Sequence, residues 1–236
     1  MITALNCKTF EEAYKAVNKH IMTNYDYEVD SRIGDSIECG SLTVQITNPD
    51  IAIFDDKRIN RIDYKYAEDF WKFMISGGTD AIEAFREYPN VAAFISKPKS
   101  DSLPANFNTF YGPRIKAQLP ALLKELKTKK NSRRVVFQIL QEKDQVLLDS
   151  DESLEYPCTD SVTYYIRDGY LHAHCHMRSE NTAVVLQLDF YLQSKLMALI
   201  AEECGVKMGT YTHSMVSAHI YTRDFDYVKT FLTKGE

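Results

Sequence analysis

The sequence has no surplus of positive charge, no long apolar run, no paired-cysteine spacing and no internal repeat. Each absence removes a class of function. Lys and Arg number 28 against 33 Asp and Glu, a formal net charge of −5. Bulk electrostatics therefore gives no support for wrapping nucleic acid, although a small anion in a locally basic pocket stays open. No apolar stretch nears the ~20 residues needed to cross a bilayer. Met1-Ile2-Thr3-Ala4-Leu5 lacks a basic region followed by an apolar core, so no leader is expected. The five cysteines (Cys7, Cys39, Cys158, Cys175, Cys204) are odd in number and lack CxxC spacing, which reads as free thiols in a reducing cytoplasm. With no linker or low-complexity segment, residues 1–236 read as a single domain.

What is present is an ordinary globular composition, 44% hydrophobic and 26% charged, with periodicity that alternates between types. Residues 9–23 recur apolar at helical spacing, with Thr9 and Glu12 as a capping box. A strand is expected at 41–47, closed by Asn48-Pro49, after a polar turn carrying Arg32. A helix over 63–76 ends at Gly77-Gly78-Thr79. Residues 90–110 read as a long loop. Tyr111-Gly112 then leads into a helix over 119–127, whose basic end, Lys127 to Arg134, runs into a strand at 135–140. Two strands follow at 161–166 and 170–177 around the turn Arg167-Asp168-Gly169. A helix over 188–204 and a strand over 215–221 complete an α+β fold with a mixed or mainly antiparallel sheet packed with helices.

Cys158 follows Pro157 just before one of these strands, and Arg178-Ser179 ends the neighbouring one. A thiol beside fixed positive charge is pushed toward thiolate, its nucleophilic form. Taken alone, the cysteine reads sooner as a buried structural residue, and Arg133-Arg134 as surface charge.

The ordered series decides between these readings. Arg133-Arg134, Pro157-Cys158, Arg178-Ser179 and His219-x-Tyr221 together resemble the thymidylate synthase family over about 111–226, most closely its deoxycytidylate hydroxymethylases. The resemblance implies that Cys158 adds to carbon 6 of a pyrimidine ring. It implies that Glu68, three before Trp71, organises water and proton transfer, and that Tyr111 lies near the reacting ring. Arg32, Arg178 and Ser179 would hold the nucleotide phosphate. Arg133 and Arg134 would be donated across a homodimer whose sheets pack back to back, and His219 and Tyr221 would contact the sugar. The physical logic agrees, because bidentate guanidinium groups suit a phosphate dianion.

Eleven residues after Arg178 stands Asp189, where thymidylate-forming members carry asparagine. A carboxyl group accepts from the exocyclic amine of cytosine and favours a protonated ring nitrogen 3. The expected substrate is thus a pyrimidine nucleoside monophosphate, dCMP, converted to 5-hydroxymethyl-dCMP. The alternatives are methylation of dCMP or dUMP, or a non-enzymatic nucleotide-binding homologue. A plainer role for Asp189 is helix N-cap. Thr159 after the nucleophile and Ser217 before the His-x-Tyr pair point the same way as Asp189. The implied one-carbon donor is 5,10-methylenetetrahydrofolate. Its pocket should depart from the family's, with Asn181 at the cofactor-contacting aspartate, Val184-Val185 for a Leu-Gly pair, and Gly235-Glu236 in place of a closing segment. Residues 85–99 should contain the groups that admit or exclude water.

His172, His174 and His176 invite a zinc reading. On one strand, however, they would span about 13 Å, so no metal is expected and the rings are assigned to a sheet or dimer face.

Overall fold

A computed structural model describes residues 2–31, 33–79, 111–149 and 156–232. Arg32, the loop at 90–110, the 85–99 segment and the chain end lie outside the described residues.

Alternating burial builds a mixed sheet. Its strands are β1 (Thr3–Cys7), β2 (Tyr27–Ser31), β3 (Gly34–Ile46), β4 (Val135–Gln138), β5 (Thr159–Arg167), β6 (Tyr170–Asn181) and β7 (Lys207–Tyr221). The order is β1-β3-β7-β6-β5-β4, with β2 paired to β3. β3 and β7 are antiparallel, while β6 and β7 are parallel. A parallel pair needs a crossover, supplied here by the long helix between them. In β6 the period-2 pattern is direct: Leu171, Ala173, Cys175 and Met177 are buried, and His172, His174 and His176 take the other face. The β5–β6 hairpin turns at Asp168 and Gly169, both at positive φ (52° and 81°). That geometry matches the right-handed twist of the strands and suits Asp-Gly.

The helices are α1 (Phe10–Asn24), α2 (Tyr64–Ser76), α3 (Tyr111–Thr128), α4 (Leu186–Cys204) and α5 (Phe225–Leu232). Thr9 caps α1 by accepting from the Glu12 N–H at 3.2 Å. Glu12 closes the box one residue early, accepting from the Lys8 N–H at 2.7 Å. α1 and α4 pack against the buried sheet face, where Phe10 lies 5.0 Å from Phe190 and 5.2 Å from Tyr211 between ring centroids. Burying each such ring contributes about 1.5–3 kcal/mol.

Several expected boundaries move. α3 begins at Tyr111 rather than Leu119, because Pro113 falls in the first turn, where a missing N–H costs nothing. α4 begins at Leu186, and its N-cap is Val185. The N-cap role for Asp189 is therefore overturned: it lies inside the first turn. The strand expected at 135–140 ends at Gln138, and the N–H groups of Ile139 and Leu140 both donate to the Asp160 carbonyl. β3 and β7 extend well before their expected starts, and β1 and β2 escaped the periodicity reading.

Candidate functional site

Cys158 sits immediately before β5, and the adjacent end of β6 carries Arg178. The register pairs Thr159 with Met177, and the Arg178 N–H donates to the Cys158 carbonyl at 2.9 Å. The guanidinium then folds back over the thiol loop. Its Nε donates to the Pro157 carbonyl at 2.8 Å, one Nη to the Tyr156 carbonyl at 3.1 Å, and that Nη lies 3.8 Å from the Cys158 Sγ. Arg178 thus holds the Cys158 loop as well as supplying charge beside it.

Charge does not win at the thiol. Burial pushes Cys158 up to about 11; Arg178 opposes this, and Glu180, Asp189 and Asp160 reinforce it. The expectation of a thiolate is corrected for the single chain. Desolvation outweighs one guanidinium, and Arg133 and Arg134, expected to help, are elsewhere in this chain. Arg133 and Arg134 are exposed at the start of β4, with Arg134 bound to Glu125 at 2.7 Å. Val135 pairs with Tyr164, six residues from Cys158, which places them about 20 Å along the sheet from the thiol.

Tyr111, at the head of α3, accepts the Thr159 N–H at 3.3 Å. Burial, then the charges of Cys158 and Asp189, raise its phenol well above the usual range. Gly112 lets that helix approach: a Cβ there would lie 2.5 Å from the Met74 carbonyl oxygen of α2. Asp189 enters the same cluster from α4. Burial and the neighbouring Glu180 raise it well above the carboxylate range, while His213 opposes. His219 is buried and neutral-leaning, lowered chiefly by desolvation, with Arg178 among its charged neighbours. Its ring meets Tyr221 edge-on at 5.0 Å. Ser179 is half-buried beside Arg178, and Asn181 follows with its Oδ1 buried and without a hydrogen-bond partner among the described residues.

Glu68 is held differently. Its Oε2 accepts from the Tyr191 hydroxyl at 2.7 Å and from Lys195 at 3.0 Å, and these partners keep it ionised. Tyr191 is two residues past Asp189, about 200° around α4, so Glu68 docks on a different face of that helix.

Glu180 and His213 were not singled out in the sequence. Glu180 is 2% exposed, and its Oε2 lies 3.5 Å from the His213 Nε2. By strict alternation Glu180 falls on the face of His172, His174 and His176, and the period breaks at Arg178-Ser179, both half-buried, so the sequence pattern carried no signal for its burial.

Among the described residues no group of three or more His, Cys, Asp or Glu could hold a metal ion. His174 and His176 stack at 4.1 Å, and His172 bonds Thr210 at 2.9 Å. No described helix is long and apolar enough to cross a membrane, and all five cysteines are unpaired.

A mixed sheet backed by helices thus brings a cysteine, an arginine and a carboxyl group toward the place where β5, β6 and α4 meet. The family described as thymidylate synthase matches residues 101–236, and the chain belongs to that family. Its relatives include a Methanocaldococcus jannaschii protein named "Putative thymidylate synthase", 35% identical over 115 residues, 48% of this chain and 52% of that one. Thymidylate synthases of Staphylococcus haemolyticus (28% over 118 residues) and Listeria monocytogenes (29% over 117) cover half of this chain and 36% of their own length. The chain spans about half or less of each relative it matches.

Proposed function

We propose that this protein transfers a one-carbon unit to carbon 5 of a pyrimidine nucleoside monophosphate through a covalent Cys158 adduct, with dCMP as substrate and 5-hydroxymethyl-dCMP as product. The observation that carries the reading is the convergence of Cys158, Arg178, Tyr111 and Asp189 at one end of β5 and β6.

The base edge argues for cytosine. A carboxylate accepts from the 4-amino group and from a protonated nitrogen 3 of cytosine, whereas it has no donor for the C=O that uracil presents at the same place. Arg178 and Ser179 are assigned to the phosphate, joined by Arg32 and, from a second copy, by Arg133 and Arg134. Their distance from Cys158 within one chain supports that assignment. The half-exposed face carrying Tyr165, His174 and His176 supports a homodimer formed sheet to sheet. Additional guanidinium groups and the bound nucleotide would offset the burial that keeps Cys158 protonated. His219 and Tyr221 are assigned to the sugar.

Methylenetetrahydrofolate fits the residues present in one respect. The buried, unpartnered Oδ1 of Asn181 is an acceptor suited to a pterin N–H. When bound, it would supply carbon at the oxidation level of formaldehyde. Glu68, ionised between Tyr191 and Lys195, is assigned to orienting the water that makes the hydroxymethyl product.

The deciding assay supplies dCMP or dUMP with methylenetetrahydrofolate and identifies the product by mass. 5-Hydroxymethyl-dCMP is expected. Thymidylate from dUMP is the second reading, favoured by the relatives' names, and would refute the Asp189 argument. A fluorinated dCMP analogue should leave a mass adduct on Cys158; no adduct would favour a nucleotide-binding protein without catalysis.

A further inference from the structure

Three side chains on one face of α3 reach the backbone of other segments. Tyr111, Arg114 and Gln118 stand at i, i+3 and i+7, a single stripe along the helix. The Tyr111 hydroxyl takes the Thr159 N–H at 3.3 Å. Arg114 donates through one Nη to the Ile139 carbonyl. The Gln118 amide pairs with both the N–H and the carbonyl of Gln138, at 2.9 and 3.0 Å. Gln118 so takes the place of a neighbouring strand at the free edge of β4.

Arg114 is itself fixed by Asp144, in the short 3₁₀ helix Glu142–Asp149. The Asp144 carboxylate receives both Nη groups, at 2.7 and 2.6 Å, and the Gln141 N–H at 2.8 Å; both side chains are buried. A bidentate pair sets the orientation of the guanidinium fork as well as its charge, so the Ile139 carbonyl meets a rigid donor.

The stretch gripped by this frame is the one directly after Cys158. Thr159 pairs with Met177 but Ser161 pairs with His176, so Asp160 is an extra residue, a β-bulge. One extra residue reverses the face that each earlier side chain takes. Thr159 is buried as Val162 and Tyr164 are, while Asp160 lines a surface cavity beside His176 on the opposite face. Unbroken alternation from Val162 would put the Asp160 carboxyl in the core and turn Cys158 over with it. The Asp160 carbonyl accepts the N–H groups of Ile139 and Leu140, each at 3.0 Å, and Ile139 is the residue whose own carbonyl Arg114 holds. From the β6 side, the Arg178 N–H holds the Cys158 carbonyl.

We infer that Arg114 is a positioning residue that, through Asp144 and Ile139, holds the bulge at Asp160 and so aims the Cys158 thiol at the bound pyrimidine. The inference rests on Cys158 as the nucleophile and adds what fixes its direction. It needs no contact between Arg114 and the nucleotide.

The test uses the intact chain and two variants. Arg114→Met with Asp144→Leu removes both charges while keeping the volume filled, so its denaturant midpoint should stay near the wild-type value. Its kcat for the nucleotide that the wild type turns over should fall about 10- to 100-fold, the order expected for a reacting atom displaced by about 1 Å. KM should change less than about twofold, since Arg178 and Ser179 are untouched. Alkylation of Cys158 by iodoacetamide, read from the mass of its peptide, should move the other way. A loop released from the frame lets water reach the thiol, and the reaction at pH 8 should quicken about threefold or more. Arg114→Lys keeps a charge facing Asp144 without the fork and should lose less kcat than the double variant. A folded double variant with wild-type kcat overturns the inference. If the double variant does not fold, amide exchange in the wild type and Arg114→Lys decides. Exchange at Ile139 and Leu140 about tenfold faster in Arg114→Lys supports the frame, and equal rates refute it. A wild type that turns over neither dCMP nor dUMP defeats the proposed reaction, and alkylation and exchange then still decide whether Arg114 holds the Cys158 loop.

Discussion

Glu180→Gln should change how stability depends on pH, without any ligand. The glutamate moves from an ordinary value of 4.5 to about 8 in the fold, chiefly through desolvation. A carboxyl raised on folding contributes stability that is fully present below its unfolded pKa and is lost as pH rises through its folded pKa. Half-buried His174 and buried His213 act in the opposite sense. Each is lowered to about 4, so their contribution is present above ~6.5 and lost as pH falls. Between pH 6.5 and 8 the Glu180 contribution is therefore the clearer one. One pH unit is worth about 1.4 kcal/mol per proton, and the slope halves at the folded pKa. Glu180 alone should thus cost the wild type about 1.5 kcal/mol across this window. Urea titrations at the two pH values, on the wild type and Glu180→Gln, measure the difference, and the histidine effects cancel between them. A wild type at least as stable at pH 8 as at 6.5, or a variant with the same pH slope, would refute the claim that Glu180 is buried as an acid.

Three further outcomes follow from other contacts. Arg178→Lys removes both the fork that suits a phosphate and the bonds to the Pro157 and Tyr156 carbonyls, so nucleoside monophosphate affinity should fall about 10- to 100-fold by calorimetry. Gly112→Ala drives a Cβ to within 2.5 Å of the Met74 carbonyl; the overpacking should cost about 1–3 kcal/mol in denaturant, and an unchanged midpoint would contradict this approach of α3 to α2. Asp144→Asn takes the counter-charge from Arg114, whose guanidinium meets it at 2.6 Å with both side chains under 5% exposed. A loss of about 3 kcal/mol is expected, whereas the paired replacement Arg114→Met with Asp144→Leu should recover most of it.

Much of the fold was legible because its causes are local. The capping of α1 by Thr9, the Asp168-Gly169 turn and the alternation in β6 depend on neighbours within a few residues. The same holds for the order of Cys158, Arg178, Asp189 and His219, on which the family resemblance rests. Elements with weak local signatures escaped. β1 alternates only between half-buried and exposed until Cys7, and β2 is exposed or half-buried throughout, so neither carries an apolar period. The start of α3 was hidden by Pro113, which reads as a breaker and acts as a helix starter.

The sequence by itself determined which chemical groups the protein owns and the order in which the chain delivers them. Only the tertiary structure decided their charge. It set burial against Arg178 at the Cys158 thiol and let burial win. It placed Arg133 and Arg134 far from that thiol, and it buried Glu180 of one strand beside His213 of the next. Desolvation and Coulomb interactions act through space over a few ångströms, and that separation is fixed by packing rather than by position along the chain.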